Sequence, residues 1–215
     1  MEKTVLYLHG FSSSSTAAKA RYLSDRLGGI SGTRFLAPDF NPERTDFEYL
    51  TVTGMIDRLR QFSIDHNVQE PFIVASSLGC LVALHYTKRF SGAARLLFLA
   101  PVLSFGALSF RSEALSRWKE SGTTRIFHYK FIEELPLRYD FYLDGLRFSE
   151  AVPPPVQIDI LHGRNDETIP INQSREYTRK FPDLVKLTEL DSDHMLHNQL
   201  HVVWDRLRSS LETRP

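Results

Sequence analysis

Residues 72–79 read FIVASSLG, an apolar run followed by small residues around two serines. The run predicts a buried strand, and the apolar residues that follow Gly79 predict a buried helix. A sharp turn between such a strand and helix lifts the residue at its apex above the sheet, and it needs small residues two positions before and after that apex. Ala75 and Gly79 meet this requirement if Ser77 is the apex.

The neighbouring serine does not fit the same turn. With Ser76 at the apex, Val74 and Leu78 would stand at the two crowded positions, and both are too bulky. Ser77 would lie at the N-terminus of the following helix, where free N–H groups favour developing negative charge. We therefore predict Ser77 as a nucleophile, although a turn of this shape without any chemistry is an open alternative on this segment alone.

Five further apolar runs recur along the chain and alternate with helical patterns. Near-continuous apolar strands separated by helices are typical of a parallel sheet covered on both faces. The predicted fold class is therefore α/β, with a mostly parallel central sheet flanked by helices. The six predicted strands are Thr4–Leu8, Arg34–Ala37, Phe72–Ala75, Leu96–Ala100, Ile158–Leu161 and Lys186–Leu190. The helical patterns cover Ala17–Leu27, Met55–Phe62, the residues after Gly79, and Leu196–Leu211.

One region, between Leu103 and Val152, breaks this alternation. It holds ten aromatic residues and no convincing buried strand, and the run Pro153-Pro154-Pro155 ends it. We predict a single domain, 1–215, with a mostly helical cap insertion at about 103–152 that packs over the carboxyl ends of the strands. An ordinary pair of core-packing helices is the alternative.

A serine hydroxyl is a weak nucleophile, so it needs a base and the base needs an orienting acid. In this architecture the acid and then the histidine follow the serine along the chain. Asp166 lies in the loop after the fifth predicted strand, where it could instead cap the next helix, and Glu167 is the second candidate acid. His194 lies in the loop after the sixth predicted strand.

The remaining histidines do not combine a loop position with the right chain order. His194, His197 and His201 have helical spacing, but the third lies two turns from the first and no HExxH pattern is present, so no metal site is predicted. The competing histidines are His9, His66, His85, His128, His162, His197 and His201.

An acyl-transfer site also needs two backbone N–H donors for the developing oxyanion. Leu78, directly after the nucleophile, is the first candidate. Phe11 is the second, because His9-Gly10 directly after the first strand forms a turn that can aim its N–H at the site. Cys80 is expected to be a packing residue of the buried helix.

Four segments, LYLHGF (6–11), ASSLG (75–79), HGRNDETIP (162–170) and SDH (192–194), resemble the α/β-hydrolase superfamily in order and span nearly the whole chain. The first two resemble most the small bacterial YqiA-type esterases. This resemblance implies an esterase or thioesterase that acts through an acyl-enzyme, with Ser77, Asp166 and His194 as the triad and Phe11 and Leu78 as the oxyanion donors. Ala75 departs from the usual glycine, and the aromatic insertion prevents any transfer of the substrate pocket.

Composition limits the remaining function classes. Lys+Arg and Asp+Glu are both 26 among 215 residues, which gives no electrostatic reason to expect nucleic-acid or membrane binding. A single cysteine and no signal-peptide or membrane-spanning pattern predict a cytoplasmic protein. No GxGxxG or GxxxxGK[ST] pattern follows a strand, so no cofactor is predicted.

The predicted partner is a small-molecule ester, and a homodimer is left open. The aromatic insertion favours an apolar acyl or alcohol group. Two alternatives remain: a non-catalytic binding protein that keeps the fold, and a carbon–carbon bond hydrolase that uses the same triad.

Overall fold

The computed structural model of the protein describes residues 2–108 and 110–212. Its centre is a six-stranded sheet in which every strand runs parallel to its neighbours. All six predicted strands are confirmed. They are β1 (Lys3–Leu8), β2 (Thr33–Leu36), β3 (Phe72–Ser76), β4 (Arg95–Leu99), β7 (Ile158–Gly163) and β8 (Val185–Leu190), in the spatial order β2-β1-β3-β4-β7-β8.

Helices cover both faces of this sheet and close two apolar cores. One core contains Leu6, Leu8 and Ile73 and two helices, α3 (Val52–Asp65) and α4 (Leu78–Phe90). The other contains Val5 and Val74 and the helices α1 (Ala18–Leu27) and α8 (Leu200–Glu212). No helix within residues 2–108 or 110–212 is long and apolar enough to cross a membrane. The helices are α1 (Ala18–Leu27), α2 (Arg44–Glu48), α3 (Val52–Asp65), α4 (Leu78–Phe90), α5 (Ser112–Ser121), α6 (Asp140–Gly145), α7 (Asn172–Lys180) and α8 (Leu200–Glu212).

The strand order determines where a site can form. The chain passes from β1 to β2 on one side and returns to β3, β4, β7 and β8 on the other. Because all six strands are parallel, the loops that follow their carboxyl ends meet at one edge of the sheet. Sheets of this type bind ligands in the crevice at the point where the strand order reverses, which here lies between β1 and β3. The loops after β1, β3, β7 and β8 carry the predicted site residues.

The prediction of a mostly helical cap is wrong for its middle third. Residues 123–138 form an antiparallel hairpin of β5 (Thr123–His128) and β6 (Glu133–Arg138), with Thr123 paired to Arg138 and His128 to Glu133. The hairpin buries one side only, so its buried residues alternate with exposed ones instead of forming an apolar run. On β6, Leu135 and Leu137 are buried while the residues around them are not.

Candidate active site

Ser77 occupies a strained turn between β3 and α4. Its backbone has φ 53° and ψ −122°, a region that residues with a side chain rarely adopt and that surrounding contacts must enforce. Those contacts are present: the Ser77 N–H donates to the Leu99 carbonyl at 3.0 Å, and the Ser77 carbonyl accepts from Cys80 N–H at 3.0 Å and Val102 N–H at 3.1 Å. The turn is therefore fixed by backbone hydrogen bonds to β4 and the residues after it.

The small residue after the turn is required by the backbone of β1. A Cβ atom on Gly79 would lie 2.6 Å from both the Leu8 and the His9 carbonyl oxygens, which no real Cβ contact allows. The thiol of Cys80 donates to the Ala75 carbonyl at 3.1 Å, and burial raises the pKa of this thiol, so it stays protonated. Ser76 belongs to β3 itself and is buried.

His194 lies between the serine and a carboxylate. Its Nε2 is 3.2 Å from Ser77 Oγ, and its Nδ1 is 2.7 Å from Asp166 Oδ2. A carboxylate can only accept, so Nδ1 carries the proton and Nε2 is left with a lone pair toward the serine hydroxyl. This is the tautomer in which a histidine can take a proton from Ser77.

The loops that carry His194 and Asp166 are packed together at Gly163, the last residue of β7. A Cβ atom at this position would lie 2.3 Å from the Ser192 carbonyl oxygen and 2.6 Å from that of Asp193. Asn165 N–H also donates to the Ser192 carbonyl at 3.0 Å. The absence of a side chain at Gly163 thus brings the loop after β8 against the loop after β7.

Asp166 is buried and held by four donors. Its Oδ1 accepts from the N–H groups of Thr168 and Ile169 at 2.9 and 2.8 Å, and its Oδ2 accepts from His194 and His162. Burial alone would raise the pKa of Asp166, but the hydrogen bonds from the two histidines and from Ile169 N–H hold it well below the usual range. Asp166 is therefore ionised at neutral pH.

His162 is a site residue that the sequence analysis missed. Its Nε2 lies 3.1 Å from Asp166 Oδ2 and 2.9 Å from the Ile169 carbonyl oxygen, and its Nδ1 lies 2.8 Å from Ser174 Oγ. Since both Nε2 partners are acceptors, Nε2 carries the proton and Nδ1 accepts from the serine. The available pattern was a histidine at the end of a buried strand, four positions before the predicted acid.

The competing candidates lie elsewhere. Among the described residues, no histidine other than His194 lies within hydrogen-bond distance of Ser77 Oγ. Glu167 is exposed and makes no hydrogen bond in the described part of the chain. Within residues 2–108 and 110–212 no group of three metal-ligating side chains could hold a metal ion.

The two predicted oxyanion donors flank the serine. Leu78 is the first residue of α4, and Gly10, directly before Phe11, lies so close to the turn that a Cβ atom on it would be 3.0 Å from Ser77 Cβ. Within the described ranges, neither the Phe11 nor the Leu78 N–H donates to a loop, turn or side-chain acceptor. Both groups therefore stay candidates for the oxyanion donors.

Aromatic side chains of the insertion pack against Phe11, in the loop after β1. The Phe11 ring lies 5.1 Å from that of Phe141, measured between centroids, and Phe141 in turn contacts Phe105 at 5.6 Å. We call the connected rings of the insertion the aromatic cluster. Its members are Phe105, Phe110, Trp118, Tyr139, Phe141 and Tyr142.

Solved structures share this fold at low sequence identity. A candidate hydrolase from Agrobacterium vitis S4 has a TM-score of 0.85 at 18% identity, over 98% of this chain and 88% of that one. Alpha/beta hydrolase domain-containing protein 10 from mouse has a TM-score of 0.78 at 18% identity, over 97% and 90%. Est1E from Butyrivibrio proteoclasticus with ferulic acid bound has a TM-score of 0.73 at 16% identity, over 97% and 88%.

These likenesses show an α/β-hydrolase fold, as the sequence predicted. No curated protein sequence matches the chain. The profile of a protein family described as uncharacterised, UPF0227, matches residues 4–208, which is nearly the entire sequence. The chain therefore belongs to the UPF0227 family and has the fold of the α/β hydrolases.

Proposed function

We propose that the protein is a serine hydrolase that cleaves carboxylic esters or thioesters through an acyl-enzyme intermediate. The observation that carries the proposal is the continuous hydrogen-bonded series from Ser77 Oγ through His194 to Asp166. A serine at a strained turn, a histidine in the accepting tautomer and a buried, ionised carboxylate are the three parts that acyl transfer by serine requires.

In the proposed reaction, Ser77 Oγ attacks the carbonyl carbon while its proton moves to His194 Nε2. Asp166 holds the histidine through Nδ1 and stabilises the imidazolium. The N–H groups of Phe11 and Leu78 bind the oxyanion of the tetrahedral intermediate. His194 then gives its proton to the leaving oxygen or sulfur, and the acyl group stays on Ser77. Water repeats the sequence, releases the acid and restores the serine.

The proposed substrate carries an apolar acyl or alcohol group. The aromatic cluster supports this, because its rings pack against Phe11 in the loop of residues 9–17 after β1 (the Phe11 loop) and make the surroundings of that loop apolar. Est1E, which shares the fold, has been solved with ferulic acid, an aromatic acid.

The nucleophile can be tested by covalent labelling. A fluorophosphonate probe, with mass spectrometry of the labelled peptide, should modify Ser77 in the wild type and give no adduct in Ser77→Ala. Ser76→Ala is the matched control, because it removes the adjacent hydroxyl and should keep the label. If the wild-type protein is not labelled on Ser77, the proposal of a serine hydrolase is wrong, and a non-catalytic binding protein of the same fold becomes the interpretation.

The substrate class needs a second measurement. Steady-state rates on p-nitrophenyl esters of two to sixteen carbons, matched acyl thioesters and a highly polar ester are compared on wild type and Ser77→Ala. We expect turnover that rises with chain length and disappears in the variant. Equal or faster turnover of the polar ester would contradict the proposal of an apolar substrate. Hydrolysis of a carbon–carbon bond substrate alone would show that the proposed triad serves a carbon–carbon bond hydrolase.

A further inference from the structure

The turn between β5 and β6 reaches out of the insertion and contacts the loop that carries Phe11. The Tyr129 N–H donates to the Ser12 carbonyl at 3.1 Å. Lys130 Nζ donates to Asp39 Oδ2 at 3.1 Å and to the Pro42 carbonyl at 2.8 Å. The hairpin is thus attached to the loops that follow both β1 and β2.

A buried amide connects the hairpin to the same loop by a second route. Asn41 Nδ2 lies 2.8 Å from His128 Nε2 and 3.4 Å from the Ser13 carbonyl oxygen. The carbonyl can only accept, so the amide nitrogen faces it, and its second hydrogen is donated to His128. His128 is therefore neutral with its proton on Nδ1. Both Asn41 and His128 are nearly inaccessible, at 1% and 0% exposure, so water cannot replace either partner.

Ring packing adds a third connection. The His128 ring meets the Phe47 ring edge-on at 4.8 Å between centroids, and Phe47 lies 5.5 Å from the Phe11 ring. Ser12, the residue directly after Phe11, has a φ of 49°, in the left-handed region that a residue with a side chain adopts only when its surroundings hold it there. The Phe11 loop is therefore held by side chain and backbone from the insertion side.

We propose that His128 and Asn41 are positioning residues that fix the Phe11 N–H as an oxyanion donor. The inference rests on the function proposed above. An N–H donor stabilises the transition state only if it already points to where charge develops, so a loop that drifts loses rate without losing substrate affinity. By this arrangement the insertion contributes to the chemical step as well as to the substrate site.

The test uses His128→Ala and Asn41→Ala, which break the connection from opposite sides. We expect kcat to fall about 10- to 100-fold with KM within about twofold, since a misplaced donor costs less than the two to three powers of ten of a deleted one. Affinity for a trifluoromethyl ketone, which forms an oxyanion on Ser77, should fall by the same factor. His128→Gln keeps an acceptor near the Nε2 position and should recover part of the rate.

Arg125→Ala is the matched control, because its side chain donates to Glu134 within the hairpin and does not contact the Phe11 loop. It should behave as the wild type. The inference is overturned if the variants keep wild-type kcat, if only KM changes, or if the rate falls no further than the folded fraction measured by circular dichroism. If His128→Ala does not fold, Asn41→Ala decides. If wild-type Ser77 is not labelled by the fluorophosphonate probe, the proposed hydrolase function itself is wrong.

Discussion

The carboxyl edge of the parallel sheet and the insertion at 103–152 lie against each other, yet they hold their residues by different forces. At the edge, backbone contacts backbone: Ser77 N–H bonds to the Leu99 carbonyl, and Gly79 and Gly163 let neighbouring loops approach to distances that a side chain would forbid. In the insertion, large side chains pack on one another in the aromatic cluster, and Trp118 Nε1–H donates to the Leu137 carbonyl at 2.9 Å.

This difference indicates how the two regions divide the work. Backbone geometry changes little when one side chain is replaced, so it suits atoms that must be placed to within a fraction of an ångström. Side-chain packing can be altered one ring at a time, so it suits the fit to a particular substrate. We therefore expect substitutions at the edge to lower kcat and substitutions in the aromatic cluster to change stability and substrate preference. The Phe11 loop contacts both regions, so substitutions in the insertion that displace this loop are the exception and should also lower kcat.

The largest effect is expected at the edge, from Asp166→Asn. An amide that donates to His194 would favour the wrong tautomer, so kcat should fall by about 10⁴-fold while KM changes little. The measurement is the steady-state rate of p-nitrophenyl ester hydrolysis over a series of substrate concentrations that reaches saturation, with the fluorophosphonate labelling rate as a second readout.

Glu167→Gln is the matched control, because it removes the adjacent and exposed carboxylate. It should retain the wild-type rate within about twofold, since an exposed side chain without contacts has little to lose. If Glu167→Gln were the slower of the two, Glu167 would replace Asp166 as the acid of the proposed triad, and the buried contacts of Asp166 would not be what orients His194.

Gly163→Ala should give the next largest effect. A Cβ atom 2.3 Å from the Ser192 carbonyl oxygen must push the loop after β8 away and move His194 with it. A displacement of about 1 Å can cost about 10²-fold in rate, so we expect a loss of that size together with a modest fall in unfolding free energy. Gly29→Ala is the control, because its Cβ would meet its nearest neighbour, the Arg26 carbonyl oxygen, at an ordinary 3.7 Å. Full activity in Gly163→Ala would contradict a rigid edge.

Trp118→Leu tests the other region. The side chain is 6% exposed and contacts four rings of the aromatic cluster, so its truncation should lower the unfolding free energy by about 3 kcal/mol in urea titrations. For the protein that remains folded, kcat on a short ester should stay within about threefold of wild type. Lys119→Ala, at an exposed position of the same helix, is the control. A tenfold loss of kcat per folded molecule would break the proposed division of work.

The edge could be predicted from the sequence because its determinants are local. The apolar runs located every strand of the main sheet, and the small residues around Ser77 identified the apex before any contact was known. The chain order of acid and histidine, with their positions after strands, then brought Asp166 and His194 to the same edge. Each step needed only a few neighbouring residues and the rule that parallel strands share a carboxyl end.

The insertion could not be predicted in the same way because its determinants are not local. The hairpin β5–β6 alternates buried and exposed residues over one weakly apolar face, and Phe127 is 45% exposed, so no apolar run announces it. His162 follows an apolar run and His128 lies among the aromatic residues of the insertion, and neither position indicates in the sequence what the histidine contacts. Only tertiary contacts show that one donates to Asp166 and the other accepts from Asn41.

The smallest effect is a pH dependence of stability that originates in the insertion. Burial, followed by the neighbouring His9, lowers the pKa of His128 from 6.5 to about 4, while Asp39 opposes the shift and Lys130 adds to it. As the pH falls from 6.5 to 4 the unfolded chain takes up a proton that the folded chain refuses, so stability present above pH 6.5 is lost through this window and the loss is complete below pH 4.

Urea titrations at pH 7.5, 5.5 and 4 should therefore show the wild type losing about 1–3 kcal/mol more than His128→Gln. Phe127→Leu, which alters the same strand without adding or removing a titrating group, should follow the wild-type curve. Parallel curves for wild type and His128→Gln would mean that the hairpin lifts away and exposes His128 before the protein unfolds. The insertion would then open independently of the parallel sheet. Its contacts to the Phe11 loop would be lost at acid pH before the hydrogen bonds among Ser77, His194 and Asp166 are lost.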